Sequence, residues 1–214
     1  LDNSWNPNAN NTVRTLLLNA GTIYVGGDFT NIGGLARNRA AALTTSSSTA
    51  TSWNPNANGT VYTLAISGST IYVGGDFTTI GGSARNYIAA LNTSGTAIPS
   101  WIPNANGTVS ALAISGTTIY AGGNFTNIGG ATRNRIAALN TSGTATSWNP
   151  NANATVSALA ISGSTIYAGG SFINIGGSTR SYIAAIDTTT GTATSWNPNA
   201  NNSVSALAIS DNTI

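Results

Sequence analysis

The sequence predicts an all-β fold: a β-propeller, or an open array of propeller blades, built from four-stranded repeats of about 48 residues with no helices. Three observations carry this prediction. Trp5, Trp53, Trp101, Trp148 and Trp196 recur at spacings of 48, 48, 47 and 48 residues. One text surrounds them, reading SWNPNANNTV, SWNPNANGTV, SWIPNANGTV, SWNPNANATV and SWNPNANNSV in turn. Between the tryptophans, short alternating apolar runs are separated by Gly, Ser and Asn, and Pro and Gly recur too often for a helix.

The second repeat serves for all. Val61 to Ser67 (VYTLAIS) alternates, with Leu64 and Ile66 on one face and Thr63 and Ala65 on the other. Ser67-Gly68-Ser69 is turn chemistry, and Thr70 to Phe77 (TIYVGGDF) resumes the alternation. Glycines inside a strand mark a bulge or a close neighbour, so Gly74-Gly75 are expected to admit a bulky residue of the next blade, Trp or Phe. A phosphate cradle would need a helix N-terminus after the glycines, and no helix follows. Gly81-Gly82 breaks the chain, Tyr87 to Leu91 (YIAAL) forms a third strand, and a short run after Ser94-Gly95 ends at Trp101 as the fourth.

This spacing divides one repeat domain, 1–214, into units 6–53, 54–101, 102–148 and 149–196, with a split partial unit of 1–5 plus 197–214. A last strand around Trp5 and a first strand from Val204 to Ile209 are left without the rest of their blade. The expectation is that the chain is part of a longer one. The rival is that a neighbouring molecule supplies the missing strands.

Composition narrows the chemistry. Charged residues make up 6% of the chain, against about 25% in an ordinary domain. There is no Lys, Glu, Cys, His or Met. Thiol nucleophiles, imidazole bases, Schiff-base amines and His-containing metal sites are therefore excluded, and neither cofactor nor metal is expected. The carboxylates are Asp2, Asp28, Asp76, Asp187 and Asp211. Asp28 and Asp76 could form the carboxyl pair of a glycan-cleaving enzyme, but their equivalent places in two repeats already explain the pairing. A Ca²⁺ loop would need a denser Asp spacing. The net charge of +2 is spread singly, which leaves no nucleic-acid footprint. No run of about 18 apolar residues favours membrane insertion, and the first four residues show no leader. A surface coated by Ser, Thr, Asn and Gly rather than by charges points to an extracellular or cell-surface setting.

Two repeated sets are the site candidates. Arg37, Arg85, Arg133 and Arg180 each follow Asp28, Asp76, Asn124 or Ser171 by nine residues. They read either as a ring of ligand-gripping guanidinium groups or as clamps on backbone carbonyls. Asn10, Asn58, Asn106, Asn153 and Asn201 each open a glycosylation sequon within the NPNAN turn. Tyr62, Tyr87 and Tyr182 stand where other repeats carry Arg or Ser, which suggests an exposed binding face.

The run GGDFTTIGGSARNYIAALN and its three counterparts resemble the delta-60 repeat, a bacterial β-propeller repeat family that reads GGxFTxxGGxxRNRIAxLNxxG. The departures are Ile173 for Thr, Ser181 for Asn, and Asn124 and Ser171 for Asp. The resemblance implies a propeller in a large secreted or surface protein, with no enzymatic activity and no established site. The expected role is a non-enzymatic structural or adhesive module of a larger or polymeric surface protein, partnered by its own kind or by the rest of a longer chain. A lectin-like propeller with one weak carbohydrate site per blade is the alternative.

Overall fold

The computed structural model describes residues 5–210 and 213–214. Asp2, Asp211 and residues 1–4 of the partial unit lie outside the described residues. Each repeat forms one antiparallel three-stranded sheet. The first strands are Val13–Asn19, Val61–Ser67, Val109–Ser115 and Val156–Ser162. The middle strands are Thr22–Gly27, Thr70–Gly75, Thr118–Gly123 and Thr165–Gly170, and the third are Ala40–Thr44, Ile88–Leu91, Ile136–Leu139 and Ile183–Asp187. We call these sheets blades one to four. The fourth strand of each blade is reduced to one bridge, Leu43 with Ala50, Leu91 with Ala97, Leu139 with Ala145 and Ile186 with Ala193. The reason lies in its composition: a single Ala points at the sheet from a run of Gly, Ser and Thr that prefers turns.

Between the middle and third strands, a two-stranded hairpin such as Thr79–Ile80 with Ser83–Ala84 juts from each blade. Gly81 and Gly82 have φ of 61° and 75°. A two-residue turn with both central φ positive matches strand twist, and glycine adopts it without strain.

The chain divides into two compact units, Leu1–Ser100 and Trp101–Ile214. In the first, Tyr24, Ala40 and Ala42 of blade one pack against Trp53, Val61 and Leu64 at the start of blade two. The alternate residues Val25, Ala41 and Leu43 turn the other way, onto Phe29 and Trp5. In the second unit, Tyr120, Ile136 and Ala138 of blade three pack against Trp148, Val156 and Phe172 of blade four. Both faces of these sheets are buried, which explains near-continuous apolar runs such as IAAL.

The glycine pair separates into two demands. A Cβ on Gly122 would lie 2.7 Å from Val156 Cγ1, and one on Gly169 would lie 2.7 Å from Val204 Cγ1; Gly26 faces Val61 in the same way. The expected bulky neighbour is thus Val, not Trp or Phe. Tryptophan instead sets its ring edge-on to the tyrosine two residues earlier in that strand: Tyr24–Trp53, Tyr120–Trp148 and Tyr167–Trp196 have centroids 5.2, 5.1 and 5.3 Å apart. The second glycine answers to its own blade. A Cβ on Gly27, Gly75, Gly123 or Gly170 would overlap the carbonyl oxygen of Thr12, Thr60, Thr108 or Thr155.

Each first strand also slips register once, between Val13 and Thr15, Val61 and Thr63, Val109 and Ala111, and Val156 and Ala158. Arg14, Tyr62, Ser110 and Ser157 are therefore bulge residues, turned out of the ladder. The expected strand from Val204 to Ile209 is corrected: that segment has no ladder. It keeps Val204 over Gly169 and gives the Val204 N–H to Gly170 O at 3.1 Å. Without a middle strand beside it, it has no partner row to define a strand. On blade one, Val13, Leu16 and Leu18 are 40%, 64% and 68% exposed, whereas their blade-two counterparts Val61 and Leu64 are 0% and 7%.

Candidate functional site

The four repeated arginines act within their own blades. Arg37 donates Nη1 to Ala36 O at 2.8 Å and Nη2 to Thr51 O at 2.6 Å. Arg85 reaches Ala84 O at 2.7 Å and Ile98 O at 3.0 Å. Arg133 donates to Thr132 O and Thr146 O, and Arg180 to Thr179 O and Thr194 O. Each guanidinium thus ties the small hairpin to the run before the next tryptophan. That is the clamp alternative, and it leaves only a buried Nε without a partner in each.

Asp28 does not meet Arg37. It takes a two-pronged ion pair from the bulge residue Arg14, with Nη2 to Oδ2 at 2.6 Å and Nε to Oδ1 at 3.1 Å. The Thr60 hydroxyl adds a bond at 2.8 Å. The Arg14 hydrogen bonds hold the Asp28 carboxyl below its ordinary value, and Asp28 in turn raises Arg14. In blade two the Tyr62 hydroxyl donates to Asp76 Oδ2 at 2.8 Å, and the Arg14 guanidinium lies 5.1 Å from the Tyr62 ring centroid. Partial burial, then the Asp76 bond, pushes the Tyr62 phenol up. Sequence reasoning missed Arg14. Its signal was a constant offset of 14 residues, Arg14 to Asp28 and Tyr62 to Asp76, which becomes a contact only once the bulge is allowed for.

The sequon asparagines tether loops. Asn58 Oδ1 accepts the N–H groups of Thr78 and Thr79 at 2.8 and 2.9 Å, while its Nδ2 donates to Thr78 Oγ1 at 2.8 Å. Asn10 and Asn106 repeat the arrangement on Thr30 and Thr126. Asn153 accepts from Ile173 and Asn174, but Ile173 offers its Nδ2 no hydroxyl. Asn201 is exposed. The half-buried Tyr87 and Tyr182 share left-handed backbone, φ 64° and 65°, with Arg39 and Arg135 at the same place in the other blades.

The geometry brings together one further feature in blades one, two and four. The Asn-Pro-Asn loop turns at a left-handed asparagine, Asn8, Asn56 or Asn151, at φ 47°, 53° and 54°. It is pinned to the glycine hairpin through Gly33 N–H to Pro7 O at 2.6 Å, and through Gly81 to Pro55 and Gly176 to Pro150 at 2.7 Å. Beside each pin lies a notch, of about 390 Å³ in blade one, 300 Å³ in blade two and 420 Å³ in blade four. Its walls are amides, backbone and small apolar groups. Among the described residues, no three His, Cys, Asp or Glu side chains converge as a metal site would require.

Stacked antiparallel sheets, one per repeat, make this a protein of β-propeller blades. Residues 21–49, 70–97 and 118–145 match the family described as "Domain of unknown function (DUF5122) beta-propeller". Those three stretches are similar to that family's β-propeller repeats, in line with the resemblance to delta-60 repeats. Among solved structures, the WD40 β-propeller domain of Doa1 is similar at TM-score 0.62 and 14% identity, over 94% of this chain and 58% of that one. The computationally designed Ika4 protein is similar at TM-score 0.57 and 11% identity, over 84% and 93%. The designed Ika8 protein follows at TM-score 0.51 and 14% identity, over 99% and 68%. At these identities the likeness is one of fold. No curated protein matches the chain.

Proposed function

We propose that this protein is a non-enzymatic extracellular or cell-surface module, structural or adhesive in role, that joins further blades of its own kind in a larger or polymeric surface protein. The observation that carries the reading is the uncovered face of blade one. Val13, Leu16 and Leu18 occupy the places that blade two buries against the glycine-bearing face of its neighbour. Burying two such leucines contributes about 1.5–3 kcal/mol each. The occupant is a second copy of this chain, its blade four offering Gly169 once the unladdered segment 196–210 moves aside. The non-enzymatic part is supported by Asp28, which Arg14 holds ionised when a glycan-cleaving acid needs a raised carboxyl.

Sedimentation of the purified chain at rising concentration tests this. The expected outcome is growth in mass that the double variant Leu16→Asn/Leu18→Asn abolishes; one constant monomeric mass in the parent protein would overturn the assembly reading. A second reading, a lectin-like role with one site per blade, is favoured by the repeated notch and its neutral, amide-rich walls.

A further inference from the structure

We propose that the notch between the Asn-Pro-Asn loop and the Ile-Gly-Gly hairpin of blades one, two and four is a binding site for a neutral saccharide. This rests on the second reading above and gives it a place. The notches of blades one, two and four share the same parts: the left-handed asparagine (Asn8, Asn56, Asn151), the buried isoleucine (Ile32, Ile80, Ile175) and the outer glycine of the hairpin (Gly34, Gly82, Gly177). Their volumes stand at the small end of the range for ligand pockets, roughly 300–1,000 Å³. That suits one or two sugar rings at an open surface.

The lining selects the chemistry. None of the three notches is lined by a charged or an aromatic side chain. An anion would find no cation, because the nearest repeated guanidinium groups are committed to carbonyls of their own blades. A purely apolar ligand would bury amide groups without partners and forfeit their hydrogen bonds to water. A polyhydroxylated ring answers both conditions, since hydroxyls both donate and accept. Amide capacity is to hand. Asn56 Oδ1 accepts from Asn38 Nδ2 at 2.6 Å, and Asn151 Oδ1 from Asn134 Nδ2 at 2.7 Å, which leaves both Nδ2 groups unspent. Asn6 Oδ1 accepts the Asn8 N–H at 3.1 Å and keeps its own Nδ2. In blades one and four the lining proline sets an apolar edge beside the amides.

Backbone makes the site stiff. A Cβ on Gly34, Gly82 or Gly177 would meet nothing within 4 Å, so the hairpin leaves that side open. The loop cannot drift, because its Pro7, Pro55 and Pro150 carbonyls accept the hairpin N–H groups of Gly33, Gly81 and Gly176. Such a site carries little ordering entropy into binding, and repetition adds avidity toward a polymer that spans neighbouring blades.

The test uses the whole chain and an array of neutral oligosaccharides of glucose, mannose, galactose and N-acetylglucosamine, followed by titration calorimetry with the best-bound member. The variant Asn8→Gly/Asn56→Gly/Asn151→Gly keeps the left-handed turn and removes only the amides. Saturable binding that weakens tenfold or more in this variant, with unchanged circular dichroism, is the expected result. Should the triple variant misfold, Asn149→Ile alone replaces it: blade three already carries Ile102 at that place, and the variant is expected to lower the number of sites without changing the affinity of the rest. Parent binding that the variants leave intact would overturn the notch while sparing the lectin-like reading. No binding by the parent protein would overturn both.

Discussion

Arg85 is 6% exposed and spends two guanidinium N–H groups on carbonyls one residue before and 13 residues after it. Charge-assisted bonds of this kind carry more than neutral ones, and removing the donor strands two carbonyls. Arg85→Ala is therefore expected to cost about 3 kcal/mol in urea denaturation. Arg85→Lys should recover less than half, because a point ammonium cannot span both carbonyls as the fork does. Asp28 behaves differently. Its folded-state value is lowered, so its contribution is present above the ordinary carboxylate range and disappears as pH falls through the folded value. Asp28→Asn, the residue blade three carries as Asn124, is expected to cost under about 1 kcal/mol near neutral pH, since the pair is partly exposed. Denaturant midpoints of parent and variant should converge as pH falls from neutral through the folded value of Asp28; a gap that stays constant all the way into acid would contradict the ion-pair account. Among the sequons, a glycan must compete with the Thr hydroxyl for Nδ2 at Asn10, Asn58 and Asn106 but not at Asn153. Peptide mapping of material from a glycosylating host is expected to find Asn153 the most occupied; equal occupancy would count against the tether.

At the scale of the element, blade stacking turns on one close approach, Gly122 to Val156. Gly122→Ala should destabilise by about 2 kcal/mol through overpacking. Val156→Ala should cost about as much through the space it leaves. Together they should cost clearly less than the sum, and strict additivity would refute the contact. This pairing also marks how far the sequence could be read. The strands and their turns were legible, because alternation and glycine punctuation are local signals. The partner of the in-strand glycine was not, since Trp and Val recur with equal regularity and only the stacked sheets tell them apart. The clamp by Arg37 and its counterparts was legible as one of two readings, because Arg persisted where Asp gave way to Asn124 and Ser171. The ion pair Arg14–Asp28 and the notch were hidden for a shared reason: each joins local features that a bulge or a crossing loop brings together only in three dimensions.

For the whole molecule, near-identical blades make stability a sum of blades and of the contacts between successive ones. Removing residues 148–195 joins Ser147 to Trp196 and places Val204 where Val156 had been, over Gly122. The shortened protein is expected to keep its β circular dichroism and to lose roughly a quarter of its denaturant m-value, because m follows the surface exposed on unfolding. A collapse to an unfolded spectrum would mean that the blades are less interchangeable than their sequences.

The glycine–valine contact has one more consequence. Within each unit one blade offers a socket and the next a stud: Gly26 receives Val61, and Gly122 receives Val156. Stud against stud would leave two valines in collision, and socket against socket would leave a void, so like faces do not mate. Copies joined in this way must follow one another head to tail, with no two-fold axis to stop them. The result has a direction: it closes into a ring where the turn from copy to copy adds up to a full circle, and otherwise runs on as a row whose two tips differ in chemistry.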